Sequence, residues 1–232
     1  MIISWIEKLS LLDYPWKIAC IVFTPWCNLR CKYCHNSQFV LPEKLKNIKD
    51  MIPENIFFNF LKTKIGKIEW VSICWWEPTL QKDLIDFCKK VKELWFLLKL
   101  DTNWQNPIKI KSLIDNNLVD YIAMDIKTTP KKWENLCWVK ENFNNYIESI
   151  NFIINSNIDY EFRTTIVKWY HKVEDIKEIC SFIKWAKAYN LQNYRSWNTL
   201  IPNFDWLSFT TKELQEFKNI ILKEIKTCII RE

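Results

Sequence analysis

Glycine is almost missing from this chain. Gly66 is the only one in 232 residues, where ordinary usage of about 7% predicts roughly 16. Alanine is scarce too, occurring at positions 19, 123, 186 and 188. No uninterrupted apolar run approaches the roughly 18 residues that a membrane-spanning helix needs, so no membrane association is expected. The residues from Met1 to Tyr14 carry charges early and lack the apolar core and cleavage site of a secretory signal. A cytoplasmic protein is therefore expected. The net charge of +6 is modest and no basic block stands out, so no nucleic-acid surface is predicted. No linker, repeat or low-complexity stretch divides the chain, which reads as one domain over 1–232.

What the chain has instead of glycine is tryptophan, 14 of them. Many stand where a backbone wants glycine: Asp13-Tyr14-Pro15-Trp16, Thr24-Pro25-Trp26, Asn103-Trp104 and Ser196-Trp197-Asn198. Such turns use glycine because it reaches φ > 0 without a clashing β-carbon. The expectation is that UGA codons, read as glycine in the source organism, are written here as tryptophan. The abundance of Lys, Ile and Asn agrees with an AT-rich genome. The alternative is a chain that is truly rich in tryptophan, and Trp133, in a helical stretch, fits as a genuine one.

Nine cysteines in a chain with no export signal read as thiols or ligands rather than a disulfide framework. Three of them, Cys27, Cys31 and Cys34, are spaced C-x3-C-x2-C. Thiolates so close can converge on one metal centre, and soft sulfur selects zinc, Cu(I) or iron–sulfur clusters. A structural zinc site closes with four ligands, and an all-cysteine cluster also takes four. Three thiolates leave one iron of a [4Fe–4S] cube open for chemistry. His35 is a conceivable fourth ligand, though it would have to fold back from Cys34; a zinc knuckle and scattered core thiols are the other readings. Cys20, Cys74, Cys88, Cys137, Cys180 and Cys228 read as small core hydrophobes.

Strand and helix patterns alternate about six times. Strands are predicted over 17–24, 67–74, 96–101, 119–125, 159–167 and 188–194. Helices are predicted over 53–64, 80–93, 107–117, 130–136, 141–154, 172–185 and 211–226. Near-continuous apolar runs suit parallel strands buried on both faces, and the alternation predicts crossover helices. The fold class expected is α/β, a partial (β/α)6-type barrel of parallel strands with outer helices. The cysteine loop follows the first strand directly, and Asp101 and Asp125 end later strands, while Arg163 lies within one. Barrel active sites gather at such C-terminal ends.

The cysteine triplet, with the aromatic Tyr33 before its last member, resembles the signature of the radical S-adenosylmethionine (SAM) superfamily. Trp75-Trp76-Glu77-Pro78, read as Gly-Gly-Glu-Pro, resembles the second signature of that family. Asp13–Lys17, Phe23–Asn28, Cys34-His35-Asn36, Asp101-Thr102-Asn103-Trp104 and Asp125-Ile126-Lys127 look like glycyl-radical-enzyme activating proteins. Leu191–Arg195 followed by Trp197–Leu200 is similar to the branch that activates anaerobic ribonucleoside-triphosphate reductase. The resemblance implies a [4Fe–4S] cluster held by Cys27, Cys31 and Cys34, with SAM on the open iron. It implies reductive cleavage of SAM to a 5′-deoxyadenosyl radical that abstracts hydrogen from a glycine of a partner enzyme. By position, Trp75, Trp76 and Glu77 would meet the SAM ammonium, and Lys127 and Arg163 its carboxylate. Asp101 and Asp125 would serve polar groups of SAM or a bound cation. Tyr33 would lie near the adenine, and Asn103 belongs to the same cofactor-binding set. No catalytic side chain beyond the cluster ligands is implied. The implied partners are a glycyl radical enzyme, anaerobic ribonucleotide reductase, and an electron donor such as flavodoxin or ferredoxin. The alternatives are another minimal radical SAM enzyme, of the pyruvate formate-lyase activating type or with a small-molecule substrate, and a non-enzymatic metal-binding protein. His171 is expected at the surface.

Overall fold

The computed structural model describes residues 1–14, 17–35, 40–45, 51–74, 76–139, 143–195, 199–200 and 206–231, with Pro42 and Leu45 by their backbone alone. The chain divides into two compact units. The first holds Met1–Asn28, Gln38–Ala123 and Asn157–Asp159, and the second Leu29–Ser37, Met124–Ser156 and Tyr160–Glu232.

In the first unit, β1 (Trp5–Ser10) pairs antiparallel with β2 (Ala19–Phe23), and β2, β3 (Trp70–Cys74) and β4 (Leu97–Thr102) run parallel in that order. Every residue of β2 and β3 is buried, so their sequences show no alternation. Helices α1 (Pro42–Leu45), α2 (Glu54–Lys62), α3 (Leu84–Glu93) and α4 (Pro107–Asp115) belong to this unit. Leu84, Phe87, Cys88 and Val91 form the buried stripe of α3, at the spacing the sequence predicts. Asn106 caps α4 through Lys109 N, with Pro107 at the first helical position.

Strand β5 (Tyr121–Asp125) leads into the second unit, which contains α5 (Pro130–Cys137), α6 (Phe143–Ile154), β6 (Asp159–Ile166), α7 (Val173–Phe182), β7 (Tyr189–Asn193), α8 (Thr211–Ile221) and β8 (Ile230–Arg231). Strands β6, β7 and β8 are parallel neighbours in chain order. Thr210 and Glu213 close a reciprocal capping box at the start of α8. Among the described residues no helix is long and apolar enough to cross a membrane.

The six predicted strands are all present, with two more. Strand β1 escapes the sequence pattern because its residues are exposed or half-buried, so no apolar run marks it. Strand β8 is only two residues long. The helix predicted from 80 begins at Leu84, because Glu77 and Pro78 start a 3-10 turn over Pro78–Leu80. The helices predicted to reach 185 and 226 stop at Phe182 and Ile221.

Seven of the eight non-glycine residues with positive φ among the described residues are tryptophans: Trp26 (73°), Trp76 (47°), Trp95 (66°), Trp104 (71°), Trp138 (52°), Trp169 (71°) and Trp185 (73°). The eighth is Asn117, a residue type that tolerates this region. Trp95, Trp138 and Trp185 follow the ends of α3, α5 and α7, where a left-handed glycine ordinarily closes a helix. Their side chains, and that of Trp169, are 92%, 56%, 79% and 73% exposed, so packing returns little for the strain. Trp16 and Trp197 lie outside the described residues. Trp133 instead sits inside α5, buried and without positive φ. A left-handed L-residue costs about 1–2 kcal/mol. Seven of them cost roughly 7–14 kcal/mol, as much as the net stability of a whole domain, about 5–15 kcal/mol.

Replacing Trp95, Trp138, Trp169 or Trp185 with glycine is expected to raise stability by about 1–2 kcal/mol each. Trp133→Gly is expected to lower it by about 3–5 kcal/mol. Urea unfolding of the five variants checks both signs, and destabilisation by all four surface changes would count against glycine at these sites.

Candidate functional site

In the first unit the site is built on Glu77. This carboxylate is completely buried and accepts four hydrogen bonds, from Thr79 N (3.1 Å), Thr79 Oγ1 (2.5 Å), Thr102 Oγ1 (2.8 Å) and Asn103 N (2.6 Å). Burial raises its pKa against the pull of those donors. The carboxylate therefore ties the end of β3 to the end of β4. Glu77 N in turn donates to Trp26 O (3.1 Å), which fastens the start of the cysteine loop to the same point. Asn103, so anchored, sends its side-chain nitrogen to Asn28 Oδ1 (2.9 Å) and lies 3.8 Å from Cys27 Sγ. An N–H beside a ligand sulfur orients it and tunes whatever it binds. Asp101 pairs with Lys99 (2.7 Å), two residues back on the same strand face. Trp76 packs on the buried cluster of Ile21, Phe23 and Cys74, so an indole fills space at the strand end. Trp75 lies outside the described residues.

The second unit carries the rest. Cys34 N donates to Cys31 O (2.9 Å), closing the turn between these two candidate ligands. Arg30 N and Lys32 N donate to Cys137 O (2.9 Å) and Leu136 O (3.0 Å), which seats the segment on the last turn of α5. Cys31 Sγ lies 3.6 Å from Cys137 Sγ. That hydrogen bond lowers the Cys31 pKa against burial, and the positive charge of Lys127 adds to the effect. Cys27 and Cys34 are half-buried, Cys31 and the other six thiols buried. Burial pushes Cys20, Cys88 and Cys180 up to about 12 and Cys228 to about 11, as suits core thiols. Cys137, read from the sequence as another of these, is indeed buried, and it also sits against a candidate ligand. With the two 106 positions apart, no local signal could reveal it.

Asp125 binds Arg163 Nε (2.9 Å) with one oxygen and Lys127 Nζ (2.8 Å) with the other. Burial would raise its pKa, but the two cations outweigh burial and bring it down to about 2. Burial likewise works against the charge of Lys127, and Asp125 outweighs it. Two cations thus converge on one carboxylate. His171, expected at the surface, is buried at 2% exposure, because its ring carries hydrogen bonds inside rather than a charge outside. Val167 N donates to Nδ1 (3.0 Å), so the proton is on Nε2, which donates to Lys127 O (3.0 Å). Burial lowers its pKa to about 4. His35 tilts against Tyr194 (5.4 Å between ring centres) and engages the Arg195 backbone, which occupies the residue considered as a fourth ligand. Tyr33 is buried edge-on to Trp206, and its hydroxyl has no hydrogen-bond partner among the described residues. Asn36 lies outside them.

Among the described residues no three His, Cys, Asp or Glu side chains already form a metal-holding group. The donor set nonetheless fits an iron–sulfur cluster with a bound SAM. The thiols are soft, the positive charge of Lys127 acts on Cys31, and the buried Tyr33 hydroxyl is a donor that a ligand would satisfy. The side chain of Trp76 fills the space that a glycine would leave open for the close approach of a ligand.

Residues 21–186 match the model of the Radical SAM superfamily. A protein of Methanocaldococcus jannaschii named as a glycyl-radical enzyme activating enzyme, MJ1227, is 33% identical over 236 residues, 99% of this chain and 95% of that one. A second from the same organism, MJ1632, named likewise, is 25% identical over 202 residues, 84% of this chain and 71% of that one. The crystal structure of a domain of pyruvate-formate lyase-activating enzyme from Bacteroides vulgatus superposes with a TM-score of 0.56 at 16% identity, covering 69% of this chain and 98% of that one. Streptococcus suis SuiB bound to precursor peptide SuiA superposes at 0.69 and 16% identity, covering 91% and 48%. The chain belongs to the Radical SAM superfamily and, within it, to the glycyl-radical-enzyme activating family. Its parallel strands and surrounding helices are the partial barrel of these neighbours. It is an enzyme, and a [4Fe–4S] cluster and SAM are the cofactors that membership implies.

His171 makes stability depend on pH. Its folded pKa of about 4 lies below the ordinary value of 6.5, so between these values the unfolded chain takes up a proton that the folded chain refuses. Stability is then full above pH 6.5 and falls as pH drops towards 4, by about 3 kcal/mol from this residue. Urea unfolding at several pH values should show that His171→Gln loses this part of the slope; an unchanged slope would contradict the assignment.

The Asp125 carboxylate works in a lower window. Its contribution is present above the unfolded value near 3.9 and is lost as pH falls through about 2. Asp125→Asn leaves two buried cations facing a neutral amide and is expected to destabilise by about 3–5 kcal/mol at pH 7. The gap from the parent should narrow below about pH 3, and a constant gap would speak against the ion pairs.

Proposed function

We propose that Cys27, Cys31 and Cys34 hold the cluster and that the enzyme activates anaerobic ribonucleoside-triphosphate reductase, acting as a single domain in the cytoplasm. The observation that carries the site assignment is the meeting of Lys127 and Arg163 on Asp125, with the charge of Lys127 felt at the Cys31 sulfur. An anionic group bound there lies beside a cluster ligand, as the carboxylate of SAM would. When bound, the reduced cluster and SAM supply a 5′-deoxyadenosyl radical that takes a hydrogen atom from a glycine Cα. The side chains bind, orient and shield. Asp125 fixes the two cations in place, and His171 pins the backbone of Lys127. Glu77 shapes the strand end whose main chain meets the SAM ammonium, Asn103 steadies Cys27, and Tyr33 offers its hydroxyl to the bound nucleoside. Asp101, paired with Lys99, completes the polar end of β4.

The working protein on this reading carries glycine at Trp75, Trp76 and the other left-handed tryptophans. The φ values support this, because three of those positions are helix-closing sites. The partner assignment is supported by the similarity of the segment around Leu191–Arg195 to the reductase-activating branch. A low-potential donor such as flavodoxin or ferredoxin supplies the electron.

Anaerobic loading of the protein with glycine at positions 75 and 76 is expected to give about four irons per chain. Reduction should then yield methionine and 5′-deoxyadenosine. Lys127→Ala and Arg163→Ala should keep the iron and weaken SAM binding about tenfold or more. Mixed with anaerobic ribonucleotide reductase, the parent should produce a glycyl radical signal. Tight zinc with no SAM cleavage would refute the enzyme reading of the site. A radical on pyruvate formate-lyase alone would refute the partner.

A further inference from the structure

Cys137 has no place in the radical chemistry, yet the fold delivers it to a candidate cluster ligand. The sulfurs of Cys31 and Cys137 are 3.6 Å apart, hydrogen-bonded and not joined by a disulfide. A disulfide needs about 2.05 Å, so the gap of about 1.5 Å lies within reach of side-chain rotation about χ1. The backbones are already held together on both sides of Cys31: Arg30 N donates to Cys137 O and Lys32 N to Leu136 O. Cys137 is fully buried and Cys31 keeps 7% of its surface, so an oxidant meets Cys31 first.

We infer that Cys137 is the resolving cysteine of Cys31, and that in the metal-free chain peroxide converts the pair into a disulfide. The Cys31 sulfur takes one oxygen from hydrogen peroxide, releasing water and leaving a sulfenic acid. The Cys137 sulfur then attacks the Cys31 sulfur and displaces a second water as the S–S bond forms. Two thiols lose two hydrogens and two electrons, and one peroxide becomes two waters. The bond caps Cys31 before it reaches the irreversible sulfinic state, and a thiol reductant returns both residues. An activating enzyme that loses its cluster to oxygen thus keeps a ligand that can be recovered.

The disulfide is a property of the metal-free chain; only its consequence rests on Cys31 as a cluster ligand, as proposed above. Peptide mapping tests the first and iron loading the second. The chelated protein is treated with hydrogen peroxide, blocked with an alkylating agent, digested without reductant and mapped by mass spectrometry. The expected product is a peptide pair joining Cys31 to Cys137, lighter by two hydrogens and split by dithiothreitol. Cys137→Ser should instead accumulate sulfinic acid at Cys31, and its oxidised form should lose the iron uptake that dithiothreitol restores to the parent. Because mapping of the parent is decisive alone, a variant that fails to fold does not blunt the test. Linkage of Cys31 to Cys27 or Cys34, or sulfinic acid at Cys31 in the parent, overturns the proposal.

Discussion

One buried carboxylate ties two strand ends of the first unit to the residues that open the cysteine loop. Four donors converge on Glu77, two of them main-chain N–H groups that would otherwise be unsatisfied at the ends of β3 and β4. Parallel strands hold one another by backbone ladders but leave the shape of the loops beyond their ends open; a side chain shared by two strand ends fixes it. The same residue presents its own N–H to Trp26 O, so the loop leaves β2 already tied to this corner. Asn103 can place a nitrogen beside Cys27 because its backbone is held first.

The second unit meets the same problem with charge. Asp125 ends β5, Lys127 follows two residues later and Arg163 lies within β6, so three polar side chains meet beside the end of β5. A buried ion pair of equal charges would gain little once desolvation is counted. Here two cations share one carboxylate, and the pairs hold Asp125 ionised down to about pH 2. His171 contributes by staying neutral: an imidazole with one proton can accept from Val167 and donate to Lys127 at once, which its charged form cannot.

Much of this was legible in the sequence because the chemistry is local there. The C-x3-C-x2-C spacing, the acidic strand ends at Asp101 and Asp125, and the stripe of Leu84, Phe87, Cys88 and Val91 each need only neighbouring residues to be read. What escaped is non-local or patternless. Cys137 and Cys31 are joined by topology alone, and β1 has no buried run to announce it. The burial of His171 comes from a turn that wraps it over Lys127 O, a contact between residues 44 positions apart. Tryptophan in turns was legible as unusual, but Trp95, Trp138 and Trp185 look ordinary until the left-handed backbone after each helix is seen. A residue can satisfy a hydrophobic pattern and still be strained at its dihedral.

The seating of Leu29–Cys34 on the end of α5 has a dynamic corollary. The amides of Arg30 and Lys32 are satisfied by carbonyls of a helix's last turn, the part of any helix that frays most readily. Two of the amides in this segment therefore cannot exchange with solvent at a rate of their own; they open when that turn opens and are guarded for as long as it stays wound. The lifetime of the ligand loop's shape is thus borrowed from a helix more than a hundred residues further along the chain.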